Sequence, residues 1–108
     1  MSQIERKTTR LGGIAGFSIH AVQSTINDSP VYHRSFGEAG TAPVYTRVEL
    51  WRDVDNEADV LCSVALTGGV KRKDVLDQIR GCLPANLPSD DAAFLTGLVI
   101  QAYLHRAI

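Results

Sequence analysis

The stretch Ala92-Ala93-Phe94-Leu95-Thr96-Gly97-Leu98-Val99-Ile100-Gln101-Ala102-Tyr103-Leu104 decides how this chain must fold. Only Thr96 and Gln101 in it are clearly polar, and it sits inside a helix-length segment from Ser89 to Arg106. At about 3.6 residues per turn its apolar positions fall into two stripes. The broad one holds Phe94, Leu95, Leu98, Val99 and Ala102; the narrow one holds Ala93, Ile100 and Leu104, with Gly97 between them. A surface helix needs one apolar stripe, and two imply burial on two sides. Leaving Ile100, Leu104 and part of the broad stripe in water forfeits roughly 5 kcal/mol, at about 1.5–3 kcal/mol per large side chain. Small domains hold a total of only about 5–15 kcal/mol. The stretch therefore predicts an obligate oligomer, with Ala93, Gly97, Ile100 and Leu104 at the subunit interface.

Working outward from that helix, Pro88-Ser89-Asp90-Asp91 reads as its start, with Ser89 as N-cap and two acids favourably placed in the first turn. Upstream, Val75, Leu76, Ile79, Cys82 and Leu83 recur at helical spacing, predicting a first helix from about Arg72 to Leu83 within residues 70–84. Pro84 helps to stop it. The second helix is assigned residues 89–106.

Residues 1–68 read as strands and turns. Ile4 to Leu11 and Ile14 to Val22 flank Gly12-Gly13, which predicts a tight two-residue hairpin turn there. Gln23 to Pro30 is a polar connection and Val31 to Phe36 a short third strand, ended by Gly37-Glu38-Ala39-Gly40. The clearest strand follows Pro43, with Val44, Thr46, Val48 and Leu50 on one face and Tyr45, Arg47, Glu49 and Trp51 on the other. Asp53 to Asn56 is a turn. A fifth strand, Ala58 to Thr67, carries Val60, Cys62, Val64 and Leu66 on one side. The expected fold is one α+β domain over residues 1–108: an N-terminal hairpin and further antiparallel strands, then two C-terminal helices, in an intertwined dimer.

The chemistry is sparse. A net charge of -1 at 108 residues gives no global basic field, so any polyanion must meet a local patch. Met1-Ser2-Gln3-Ile4-Glu5-Arg6-Lys7 lacks the apolar run of a signal peptide. The apolar run of about 13 residues in the last helix falls short of the ~20 needed to span a bilayer. The expectation is a soluble intracellular protein without a membrane partner. Two cysteines, Cys62 and Cys82, lack metal spacing and read as small buried hydrophobes. His20, His33 and His105 are scattered, and no phosphate loop, dinucleotide fingerprint or nucleophile motif is present. The chain is expected to be no enzyme, with no catalytic residues, no metal and no cofactor.

Two basic features remain. Lys71-Arg72-Lys73 opens a helix, where cations are mildly unfavourable, and reads mainly as a solvated turn near Asp74 and Asp77. On the strands, Tyr45, Arg47 and Trp51 share a face, while Tyr32 and Arg34 lie on the third strand. Rings interleaved with arginines suit single-stranded RNA, because rings stack bases while guanidinium groups hold phosphates. Tyr32, Arg34, Tyr45 and Arg47 are the RNA-binding candidates. Glu49 on the same face counts against them.

An N-terminal hairpin, further antiparallel strands and two C-terminal helices in about a hundred residues resemble the coat proteins of single-stranded RNA bacteriophages. The resemblance lies in layout over nearly the whole chain, most specifically from Val60 through Gly68-Gly69 and the amphipathic helix to Leu104. It implies a homodimer in which each subunit's helices pack over the partner's sheet. It also implies a shell assembled from dimers, with genomic RNA on the sheet face opposite the helices. Such a protein is assembled in the bacterial host cytoplasm and ends in the virion. The alternative is a small dimeric α+β binding or regulatory module of phage or plasmid origin that packages no RNA. An interface enzyme would require His20 or His33 to meet an acid from another chain.

Overall fold

The computed structural model describes residues 4–26, 29–30, 45–54 and 57–106. The chain forms an antiparallel sheet followed by two helices, an α+β fold. Strand β1 (Ile4–Ile14) is followed by β2 (Phe17–Ile26), the two-residue β3 (Ser29–Pro30), β4 (Arg47–Val54) and β5 (Glu57–Ala65). The helices are α1 (Arg72–Gly81) and α2 (Ser89–Leu104). The sheet order is β1-β2-β4-β5, with β3 pairing to the end of β2. The expected third strand, Val31 to Phe36, lies outside the described residues.

The first hairpin turns later than the glycine pair suggests. Its turn residues are Ala15 and Gly16, both at positive φ (56° and 84°), the conformation that matches the twist of a two-residue hairpin. Gly12 and Gly13 instead lie inside β1, where the register shifts between Arg10 and Gly12 and Leu11 becomes the extra residue of a bulge. Their lack of side chains serves packing. A Cβ on Gly12 would come within 3.0 Å of Leu98 Cδ1 on α2, and one on Gly13 within 2.7 Å of the Phe17 carbonyl oxygen.

One sheet face builds the core. Ile19 and Ala21 of β2, Val48 and Leu50 of β4, and Val64 of β5, with Leu66 just beyond it, are buried beneath Val75 and Ile79 of α1 and Leu95, Val99 and Ala102 of α2. The expected alternation holds in β4 but breaks in β5. Leu50 pairs with Cys62 and Trp51 with Val60, so Leu61 is a second bulge. Leu61 and Cys62 both pack against the core, while Val60 emerges 47% exposed beside Trp51 instead of facing inward. Cys82 is also exposed, not buried.

Both helices cover the chain's own sheet, whereas the resemblance implies cover over a partner's. The start of α2 shifts by one residue: Pro88 is the N-cap, with no side-chain cap bond, and Ser89 is already helical. The helix is also rotated from its expected pose. Thr96 is buried and donates to the Ala93 carbonyl at 3.1 Å, while Phe94, expected in the core-facing stripe, stands 46% exposed. Leu83, Pro84 and Leu87 of the connection after α1 share a cavity with Ala92, Ala93 and Thr96 on that flank. No helix among the described residues is long and apolar enough to cross a membrane.

Candidate functional site

The sheet face turned away from the helices is built by the other half of the strand alternation. It carries Arg10 of β1, Ser18, His20 and Val22 of β2, Arg47, Glu49, Trp51 and Asp53 of β4, and Val60 and Ser63 of β5. His20 pairs directly with Glu49 and Arg10, and Ser18 with Trp51. The His20 ring therefore meets Trp51 on the diagonal, stacked with centroids 3.8 Å apart and planes 19° off parallel. Under this cover His20 is only 7% exposed.

Two hydrogen-bonded chains run out from the stack. On one side the Ser18 hydroxyl donates to Asp53 Oδ1 at 2.9 Å and lies 2.9 Å from His20 Nε2. Arg10 reaches Asp53 Oδ2 at 3.6 Å. On the other side Trp51 Nε1 donates to Glu49 Oε1 at 3.1 Å and the Ser63 hydroxyl to Glu49 Oε2 at 3.1 Å. Arg47 closes the chain, giving Nε to the Ser63 hydroxyl at 2.9 Å and a terminal nitrogen to the Ser63 carbonyl at 3.0 Å. Among the described residues no buried side-chain nitrogen or oxygen lacks a partner. The face is thus pre-set, with little side-chain freedom left to lose on binding.

Its protonation follows from the same geometry. Burial and the Arg10 charge hold the His20 pKa below 6.5, with Asp53 and Glu49 pulling the other way. The Ser18 hydroxyl gives its single proton to Asp53, so Nε2 of neutral His20 is the donor to Ser18. Ser18, His20 and Asp53 therefore share the residue types of a hydrolytic triad but not its order, which needs the histidine to accept the serine proton. Within its own chain His20 lies beside Glu49 and is linked to Asp53 through Ser18.

The structure separates the four RNA-binding candidates. Arg47 lies on this face, tied to Ser63. Tyr45 does not share it: a bend at Thr46 precedes β4, the Tyr45 amide donates to the His105 carbonyl at 2.9 Å, and the side chain packs against the core. Tyr32 and Arg34 lie outside the described residues. Arg10 and the His20–Trp51 stack belong to the face and were absent from the candidates. The alternation marked Trp51, but only the strand register reveals that β1 and β2 bring Arg10 and His20 beside it. Lys71, Arg72 and Lys73 are all exposed around the start of α1.

The interface candidates form a second surface, on the outer side of α2. Ala93 and Gly97 are exposed, Ile100 is half-buried, and Leu104 stands 61% exposed. Phe94 joins them. Comparison with protein-family models, curated proteins and solved structures found no match to this chain.

Proposed function

We propose that the chain is the coat protein of a single-stranded RNA phage, which dimerises, assembles into a shell and holds genomic RNA against the open sheet face. The observation that carries this reading is the outer apolar side of α2, where Phe94 and Leu104 are exposed and Ile100 half-buried, on a sheet whose described strands end at β5. A second subunit covers that side and extends the sheet at β5. On the opposite face Trp51 offers a stacking ring, while Arg10 and Arg47 supply positive charge. The host cytoplasm is the place of assembly and the virion the destination.

Expression of the chain alone tests the reading. Particles by electron microscopy, enclosing RNA that nuclease cannot reach, are the expected outcome; a stable small dimer without protected RNA overturns it. One observation favours a second reading, a dimeric binding module that ignores RNA. Glu49 and Asp53 sit among Arg10 and Arg47 and offset their charge, which weakens the pull on phosphates. Such a module stays at dimer size and is indifferent to added RNA.

A further inference from the structure

Neither cysteine takes part in the two surfaces above, yet the fold brings them together. Cys62 lies at the bulge of strand β5, half-buried, and its thiol reaches the Gln78 carbonyl oxygen of α1 at 3.9 Å. Cys82 follows Gln78 by four residues, one helical turn on the same side of the helix, and forms the exposed C-cap of α1. The Cys62 thiol thus lies against the turn of α1 that ends at Cys82, close enough for the Cys82 thiol to raise its pKa. Both are free.

We propose that Cys62 and Cys82 form a reversible intrachain disulfide that clamps strand β5 to the end of α1. The oxidant is a small-molecule disulfide, and exposed Cys82 is where it reacts. The Cys82 thiolate attacks one sulfur of the reagent and expels one thiol, leaving a mixed disulfide. The Cys62 thiolate then attacks Cys82 Sγ and expels the second thiol. Two protein thiols are oxidised to one disulfide, the reagent is reduced to two thiols, and no other co-reactant is needed. Burial, together with the Cys82 thiol, pushes the Cys62 pKa up to about 11, with Arg47 opposing. Little of Cys62 is thiolate at neutral pH, so the closing step is the slow one. The pair stays open in a reducing cytosol and closes in an oxidising medium.

The clamp closes the loop from residue 62 to residue 82 and so restricts the unfolded chain. The test uses the full chain, incubated with oxidised glutathione or with dithiothreitol. Oxidation should lower the protomer mass by about 2 Da and join tryptic peptides 53–71 and 81–106. It should also raise the melting temperature by on the order of 10 °C. Cys62→Ser and Cys82→Ser should each fold, as judged by circular dichroism, and each should lose both the link and the shift. Glutathione retained on Cys82 alone, a cross-link between two chains, or a link without a rise in melting temperature would each overturn the proposal.

Discussion

The two helices lie on the same sheet and differ in what they show the solvent. Helix α1 buries Val75 and Ile79 and turns Arg72, Lys73, Asp74, Asp77 and Arg80 outward, the ordinary division of a surface helix. Helix α2 buries Leu95, Thr96, Val99 and Ala102, yet its outer side still carries Ala93, Phe94, Gly97 and Leu104. Burial on the chain's own sheet therefore finishes α1 and leaves α2 half used. An apolar outer side facing water invites association, so on the proposed reading α2 is the helix that takes a partner, while both are attached to the same core.

That contrast can be broken from inside. Ile79→Ala and Leu95→Ala should each cost about 2–5 kcal/mol in urea unfolding, because both side chains are fully buried and each leaves a cavity. A much smaller loss at Leu95 would mean that α2 takes its main support elsewhere. From outside, Leu104→Asp and Ile100→Asp should abolish the oligomer, since each places an unpaired charge in the proposed contact. Arg80→Glu on exposed α1 should leave particle or dimer size unchanged by light scattering. Native size in both α2 variants would remove the subunit contact from that side.

A smaller effect tests how α2 is seated. Gly12→Ala pushes a Cβ to 3.0 Å from Leu98 Cδ1, so a loss of about 1–3 kcal/mol is expected, the usual cost of overpacking, and Leu98→Ala should relieve it. The faintest effect lies on the face neither helix touches. His20 has a folded pKa below 6.5, so the unfolded state binds its proton first. Its contribution is complete above that value and is lost as the pH falls through 6.5 toward the folded pKa. His20→Gln should flatten the stability profile just below pH 6.5. An unchanged slope would assign the acid sensitivity to other groups.

The strands-then-helices layout and the inward residues of β4 were legible because local spacing carries them: Val75 and Ile79 for α1, Val48 and Leu50 for β4. What was misread depends on contacts distant in sequence. Gly12-Gly13 looks more like a turn than Ala15-Gly16, but those glycines answer to Leu98 and Phe17. The bulges at Leu11 and Leu61 reset a two-residue period that no composition reveals, which put Val60 on the wrong side. Phe94 and Thr96 exchanged roles, one exposed and one buried, because spacing within a helix does not fix which flank meets the sheet. In the candidate site Trp51 and Arg47 were readable from alternation. Arg10 and His20 were not, since their place beside Trp51 rests on strand pairing.

The backbone bond from Tyr45 to His105 and the adjacent Tyr45–Arg106 bridge fasten the segment just after α2 to the start of β4. In time, this stitch is made by residues that the ribosome delivers after every strand. Every strand, and Leu50 and Val64 with them, is synthesised before Leu95, Val99 and Ala102 exist to cover it. The nascent chain thus passes through a stage with a bare apolar sheet, the kind of transiently exposed surface that favours aggregation. The sheet is thus complete in the chain well before its cover is, and the fold closes only once α2 has been made.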